Sequence, residues 1–172
     1  MTEYLYSDFY LAELGGIDPP PLHPRYVEMI RYLEKVGPEG GLPGRQHIDP
    51  CDFPHVLNLV NLVKIEHSAE EVHFRYRLVG ETQTLNAGRD ITGMLVEEAI
   101  APPLDARIIG NMRKVLETRM PIYDRFPMPH PNREFIDSQR MYYPLAADGE
   151  RIDMLLILNG YESNQAALDR PA

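Results

Sequence analysis

The chain has 172 residues, 44% hydrophobic and 25% charged, a composition of globular proteins with enough length for one core. Seventeen basic residues against 26 acidic ones give a formal charge of −9, which repels a phosphate backbone and argues against nucleic acid as a partner. The longest apolar runs, around 56–63 and 154–158, are strand-sized, whereas a bilayer span needs about 20 apolar residues, so no membrane insertion is expected.

The first element in chain order is a helix over Thr2 to Leu14, ended by Gly15, Gly16 and the Pro19-Pro20-Pro21 run. A second helix begins at Pro24 and runs to Val36, with Gly37 as its stop. Its apolar stripe, Tyr26, Met29, Ile30 and Leu33, is a candidate interface for a second copy; the alternative is that it caps the chain's own sheet. Residues 1–44 thus form an N-terminal helical extension, closed by a Gly- and Pro-rich loop, ahead of a domain over 45–163 and a tail over 164–172.

Asp49-Pro50 reads as an N-cap followed by a first-position proline, with only a short turn before Pro54. Strands are expected over Leu59 to Glu66 and Val72 to Val79. In the second, Val72, Phe74, Tyr76 and Leu78 alternate with His73, Arg75 and Arg77. A short helix over Gly80 to Ala87 ends at Gly88. A longer one opens at Pro102-Pro103 and reaches Thr118, with Leu104, Ile108, Met112, Val115 and Leu116 on one face. Extended sequence returns at Ile122 to Phe126, breaks in a proline-rich segment through Pro131, and resumes at Phe135 to Leu145. A turn at Ala147-Asp148-Gly149 then leads to a last strand over Arg151 to Tyr161.

Two strands, helices, then three strands is the connectivity of the PAS domain. Three stretches resemble a bacterial family of short PAS-like proteins, the fifth catalogued PAS family. They are Asp49-Pro50-Cys51-Asp52-Phe53-Pro54-His55-Val56-Leu57; Phe74 to Gly80 continuing to Gly88-Arg89-Asp90-Ile91-Thr92-Gly93; and Tyr143-Pro144-Leu145 through Asp148-Gly149-Glu150-Arg151 to Met154-Leu155-Leu156. The resemblance implies an α+β fold, a five-stranded antiparallel sheet with helices on one face, preceded by the N-terminal helices. It also implies a homodimeric sensor or interaction module in signal transduction, binding a small ligand or a protein partner. Only residues 162–172 follow the last expected strand, so the signal is expected to be delivered to another chain.

The candidate pocket residues are Tyr76, Met112, Arg140, Met141, Tyr143, Met154 and Leu156, read as inward positions of strands and of the long helix. Arg140 stands out: beside an apolar run it needs an anionic partner if it points inward. Arg75 and Arg77 alternate against the apolar face, which reads as solvent exposure, with carboxylate or phosphate recognition as the functional alternative. His47, Cys51 and His55 recur every four residues, but Pro50 and Pro54 break the helix that would align them, so no metal site is expected. The sequence holds no nucleophile elbow, metal-binding histidine motif or Gly-rich cofactor fingerprint, so no catalytic residue is assigned and the cofactor is left unknown. The single cysteine excludes an internal disulfide and, with no signal pattern after Met1, fits a reducing cytoplasm. The readings from other classes are a small α+β enzyme with a polar pocket in a cone-shaped sheet, and a ligand-free adaptor.

Overall fold

The structure is a computed structural model that describes residues 3–128 and 136–163. Its strands are β1 (Leu5–Tyr6), β2 (Val60–His67), β3 (Val72–Leu78), β4 (Ile122–Pro127), β5 (Ile136–Leu145) and β6 (Met154–Ser163); its helices are α1 (Asp8–Leu14), α2 (Pro24–Val36), α3 (Glu81–Ala87), α4 (Val96–Ala99) and α5 (Leu104–Thr118). Short 3-10 turns fill Arg45–His47, Pro50–Asp52 and Pro54–Leu59. The fold is α+β. The proline-rich segment expected through Pro131, the start of a strand at Phe135 and the tail over 164–172 fall wholly or partly outside the described residues.

The sheet has six strands in the order β1-β4-β5-β6-β2-β3 and is mixed, which corrects the expected five-stranded antiparallel sheet. β2 to β6 pair antiparallel throughout, and β1 is the addition, two residues parallel to β4 with Leu5 opposite Ile122. The helix expected from Thr2 therefore starts only at Asp8. Before it, the Leu5 and Ser7 amides donate to the Pro121 and Tyr123 carbonyls at 2.8 and 2.7 Å. Tyr4 and Tyr6 suit a pleated, half-buried edge better than a helix start.

α2 keeps the bounds predicted from sequence, because Pro24 occupies its first turn and the His23 Nδ1 accepts the Arg25 amide at 3.2 Å. Its stripe of Tyr26, Met29, Ile30 and Leu33 is buried in a cluster with Tyr123, Met141, Tyr143, Leu145, Leu156 and Leu158 of the sheet. The candidate interface is thus consumed inside the chain, the alternative reading of the stripe. The opposite sheet face packs Val63, Ile65, Phe74, Tyr76, Tyr142 and Ile157 against Ile108, Met112 and Val115 of α5. Helices therefore cover both faces, not one, and residues 3–44 contribute to the same core as the later strands. β5 lies between these layers and is buried continuously from Asp137 to Leu145, so its polar residues Asp137 to Arg140 are buried along with the apolar run that follows.

A bulge corrects one sequence reading. Leu62 pairs with Leu78 while Val63 pairs with Tyr76, so Arg77 is an extra residue in β3. The inserted residue breaks the two-residue period, and Leu78 is exposed where unbroken alternation would bury it.

Because the α2 stripe is core, Ile30→Ala is expected to cost about 2–5 kcal/mol in urea unfolding. An exposed stripe would give a change within about 0.5 kcal/mol.

Candidate functional site

Strand pairing builds the floor of the site. Asp124 of β4 faces Arg140 of β5, which faces Asn159 of β6; the next row is Phe126, Ser138 and Tyr161. All six stand on the face covered by α5, because β5 alternates and its odd residues Met141 and Tyr143 belong to the α2 side.

α5 is held on this floor by an ion pair between a half-buried arginine and a fully buried carboxylate. Arg107 Nε and Nη2 donate to Asp124 Oδ2 and Oδ1 at 2.8 and 2.6 Å, and the Asn111 amide donates to Oδ2 at 2.7 Å. The Arg125 amide takes a further bond to Oδ1 at 2.8 Å, so the fully buried carboxylate has its acceptor capacity occupied. Arg107 also bonds Glu13 of α1, and Lys114 of α5 reaches Asp8 at 2.6 Å.

The other wall comes from α3. Gly80 opens it because a Cβ there would overlap the Asn58 carbonyl oxygen, and its amide donates to the buried Asn61 Oδ1 at 2.9 Å. Gly88 ends α3 in the left-handed region at φ 71°, as its position after Ala87 predicts. The Asp90 carboxylate then accepts the Thr92 amide at 2.9 Å and Gly93 turns the chain at φ 86°, so the 88–93 stretch is a chain reversal shaped by its own residues.

Between α3, the segment from Ala99 to Leu104 and the floor lies a cavity of about 410 Å³. Phe126, Met128, Ile100 and Leu104 supply apolar wall; Gln83, Ser138, Tyr161, Arg89 and Arg140 supply polar groups. That volume falls within the range of small-molecule sites, about 300–1,000 Å³.

Arg140 points inward and is only 6% exposed. Its guanidinium lies 5.0 Å from the centre of the Phe126 ring, and Nη2 donates to Ser138 Oγ at 3.3 Å. Nε is buried without a hydrogen-bond partner among the described residues. Asp124 stands across the strand, yet its oxygens go to Arg107, Asn111 and a backbone amide. Neighbouring tyrosines do not supply the missing charge: burial pushes the Tyr142 hydroxyl far above its ordinary range and raises that of Tyr76, so both remain neutral.

The structure divides the candidate pocket residues. Tyr76, Met112 and Arg140 share the α5 face, whereas Met141, Tyr143, Met154 and Leu156 lie on the α2 face. Among the seven, Arg140 alone lines the 410 Å³ cavity, while Tyr143 borders a separate space of about 260 Å³ beside Ile30 and Leu33. The sequence reading missed Ser138, Tyr161, Phe126 and Arg89. Ser138 was within reach, since positions two apart on a strand share a face with Arg140; the others depend on strand pairing and the fold of 81–104.

The remaining candidates sit apart from the cavity. Arg75 forms a two-bond pair with Glu66 at 2.7 and 3.1 Å and donates to the Gly93 carbonyl at 2.8 Å. Arg77 is exposed at the bulge. His47, Cys51 and His55 fall on three separate 3-10 turns, and His47 Nδ1 accepts the Gly44 amide at 2.9 Å. Among the described residues, no three histidine, cysteine or acidic side chains are grouped to hold a metal ion.

Removing the central carboxylate with Asp124→Ala leaves Arg107 with Glu13 as its remaining ion-pair partner and strands the buried Asn111 amide, and should cost about 1–3 kcal/mol in chemical denaturation. A loss below about 1 kcal/mol would mean that the pair does not hold the helix. At Cys51, a hydrogen bond to Asp49 and that residue's charge raise the exposed thiol above its ordinary pKa. Alkylation by iodoacetamide at pH 8 should run slower than in a free cysteine peptide and speed up in Asp49→Asn, which keeps a capping side chain without the charge. An unchanged rate in that variant would discard the assigned cause.

No family model matches the chain, and no curated protein matches it at a significant level.

Proposed function

We propose that this chain is a PAS-like sensor module that binds a small ligand between its sheet and the α3–α5 segment, performs no chemistry on it, and signals to another protein. Two observations support the reading. β2 to β6 run antiparallel in the order β3-β2-β6-β5-β4, with the helices inserted between β3 and β4, in keeping with the connectivity that the motifs resemble. The inserted helices and the sheet border the 410 Å³ cavity, and its inward-facing Arg140 carries the argument: a buried cation with no anionic partner among the described residues is a costly feature in a purely structural interior.

The path outward from the cavity is also built from ion pairs. α5 borders the cavity at Leu104, and the same helix holds α1 through Arg107 with Glu13 and Lys114 with Asp8. A ligand that shifts α5 therefore bears on α1, whose Phe9 and Leu11 are exposed. A homodimer, also implied by the resemblance, would use a surface other than the buried stripe of α2.

Native mass spectrometry of protein purified without added ligand tests the reading. Added mass released on denaturation, and absent from a Ser138→Phe variant that fills the cavity, is the expected outcome. Bare chain alone in the wild type, or the same added mass in both proteins, overturns it.

A further inference from the structure

Among the described residues, each charged side chain lining the cavity is an arginine. Arg140 projects from the floor and Arg89 stands at the rim, and among the described residues no aspartate or glutamate joins them, although the chain carries 26 acidic residues and a formal charge of −9. The acidic group across the strand from Arg140 is Asp124, and Arg107 has taken it. Two arginines approach the Phe126 ring, Arg107 at 4.9 Å and Arg140 at 5.0 Å, and among the described residues the first alone has a carboxylate partner.

A guanidinium presents five N–H donors in a planar fork that matches a carboxylate with two parallel bonds. Arg140 spends one donor on Ser138, leaves Nε buried and unpartnered, and is pinned against Phe126. Ser138 adds a hydroxyl next to it, and Tyr161, its cross-strand partner, lines the same cavity with its hydroxyl donating to Gln83 Oε1 at 2.8 Å. Away from this polar end the wall turns apolar through Ile100, Pro102, Leu104 and Met128. The charge asks for an anion, and the apolar wall asks for a hydrocarbon body attached to it.

Resting on the reading that this cavity binds a ligand, we propose that the ligand is a small organic carboxylate whose carboxyl group pairs with Arg140 and whose apolar body lies against Leu104, Met128 and Ile100. Arg89 stands at the entrance, where its charge favours anion entry into an otherwise acidic protein.

Calorimetric titration with hexanoate, phenylacetate, hexanol and inorganic phosphate tests this on the full chain. Hexanoate or phenylacetate should bind at one site, at least about tenfold tighter than hexanol, and Arg140→Met should erase that preference while circular dichroism shows the fold retained. If that variant does not fold, Arg140→Lys serves, with carboxylate affinity reduced because the ammonium lacks the fork. Equal binding of hexanol and hexanoate overturns the carboxylate class and leaves the cavity a ligand site. Phosphate binding more tightly than either carboxylate, or unchanged carboxylate affinity in the variant, also overturns it. Failure of all four probes overturns it as well; co-purified mass in the native spectrum then shows whether the ligand-binding reading itself survives.

Discussion

The pair between Arg107 and Asp124 is the constraint on which the arrangement of the α5 face depends. It fastens a helix to a strand at a fully buried carboxylate, whose charge in isolation would carry a large desolvation cost, and two short Arg107 bonds with the Asn111 and Arg125 amides complete that carboxylate's shell. The helix so fixed meets the cavity at its first residue, Leu104, and its second ionic contact, to Glu13, ties the N-terminal segment to the same point. One interaction thereby links the cavity, the sheet and the first helix.

The same pair determines what Arg140 lacks. With Asp124 committed to α5, the arginine opposite has an aromatic ring, one hydroxyl and a cavity before it. The nearby phenols cannot compensate, because burial holds Tyr76 and Tyr142 in their neutral form. A shortage of negative charge inside a strongly acidic protein is a local property created by pairing, and the overall charge gives no hint of it.

Covering both faces of the sheet has its own consequence. In an open sheet the stripe on α2 would be free to meet a second copy; here Tyr26, Met29, Ile30 and Leu33 instead complete a core with β4, β5 and β6. Burial on two sides also explains why β5 reads as an almost unbroken inward strand and why residues from it serve two different layers.

Local chemistry in the sequence determined where the elements begin and end. Pro24 and Gly37 bracket α2, Gly88 closes α3, Asp49 caps the turn at Pro50, and Asp148-Gly149 turns the chain between β5 and β6, because each acts through backbone geometry within a few residues. The order of two strands, helices and three strands was legible for the same reason, as was the suspicion that Arg140 would need an anion. Tertiary structure alone decided which face each strand residue occupies, since the bulge at Arg77 reverses a phase and only pairing sets Phe126 and Tyr161 beside Ser138. It alone brought the first strand into the sheet, turned the α2 stripe inward, and gave Asp124 to Arg107 instead of Arg140. These outcomes depend on contacts between residues far apart in the chain, which no local spacing records.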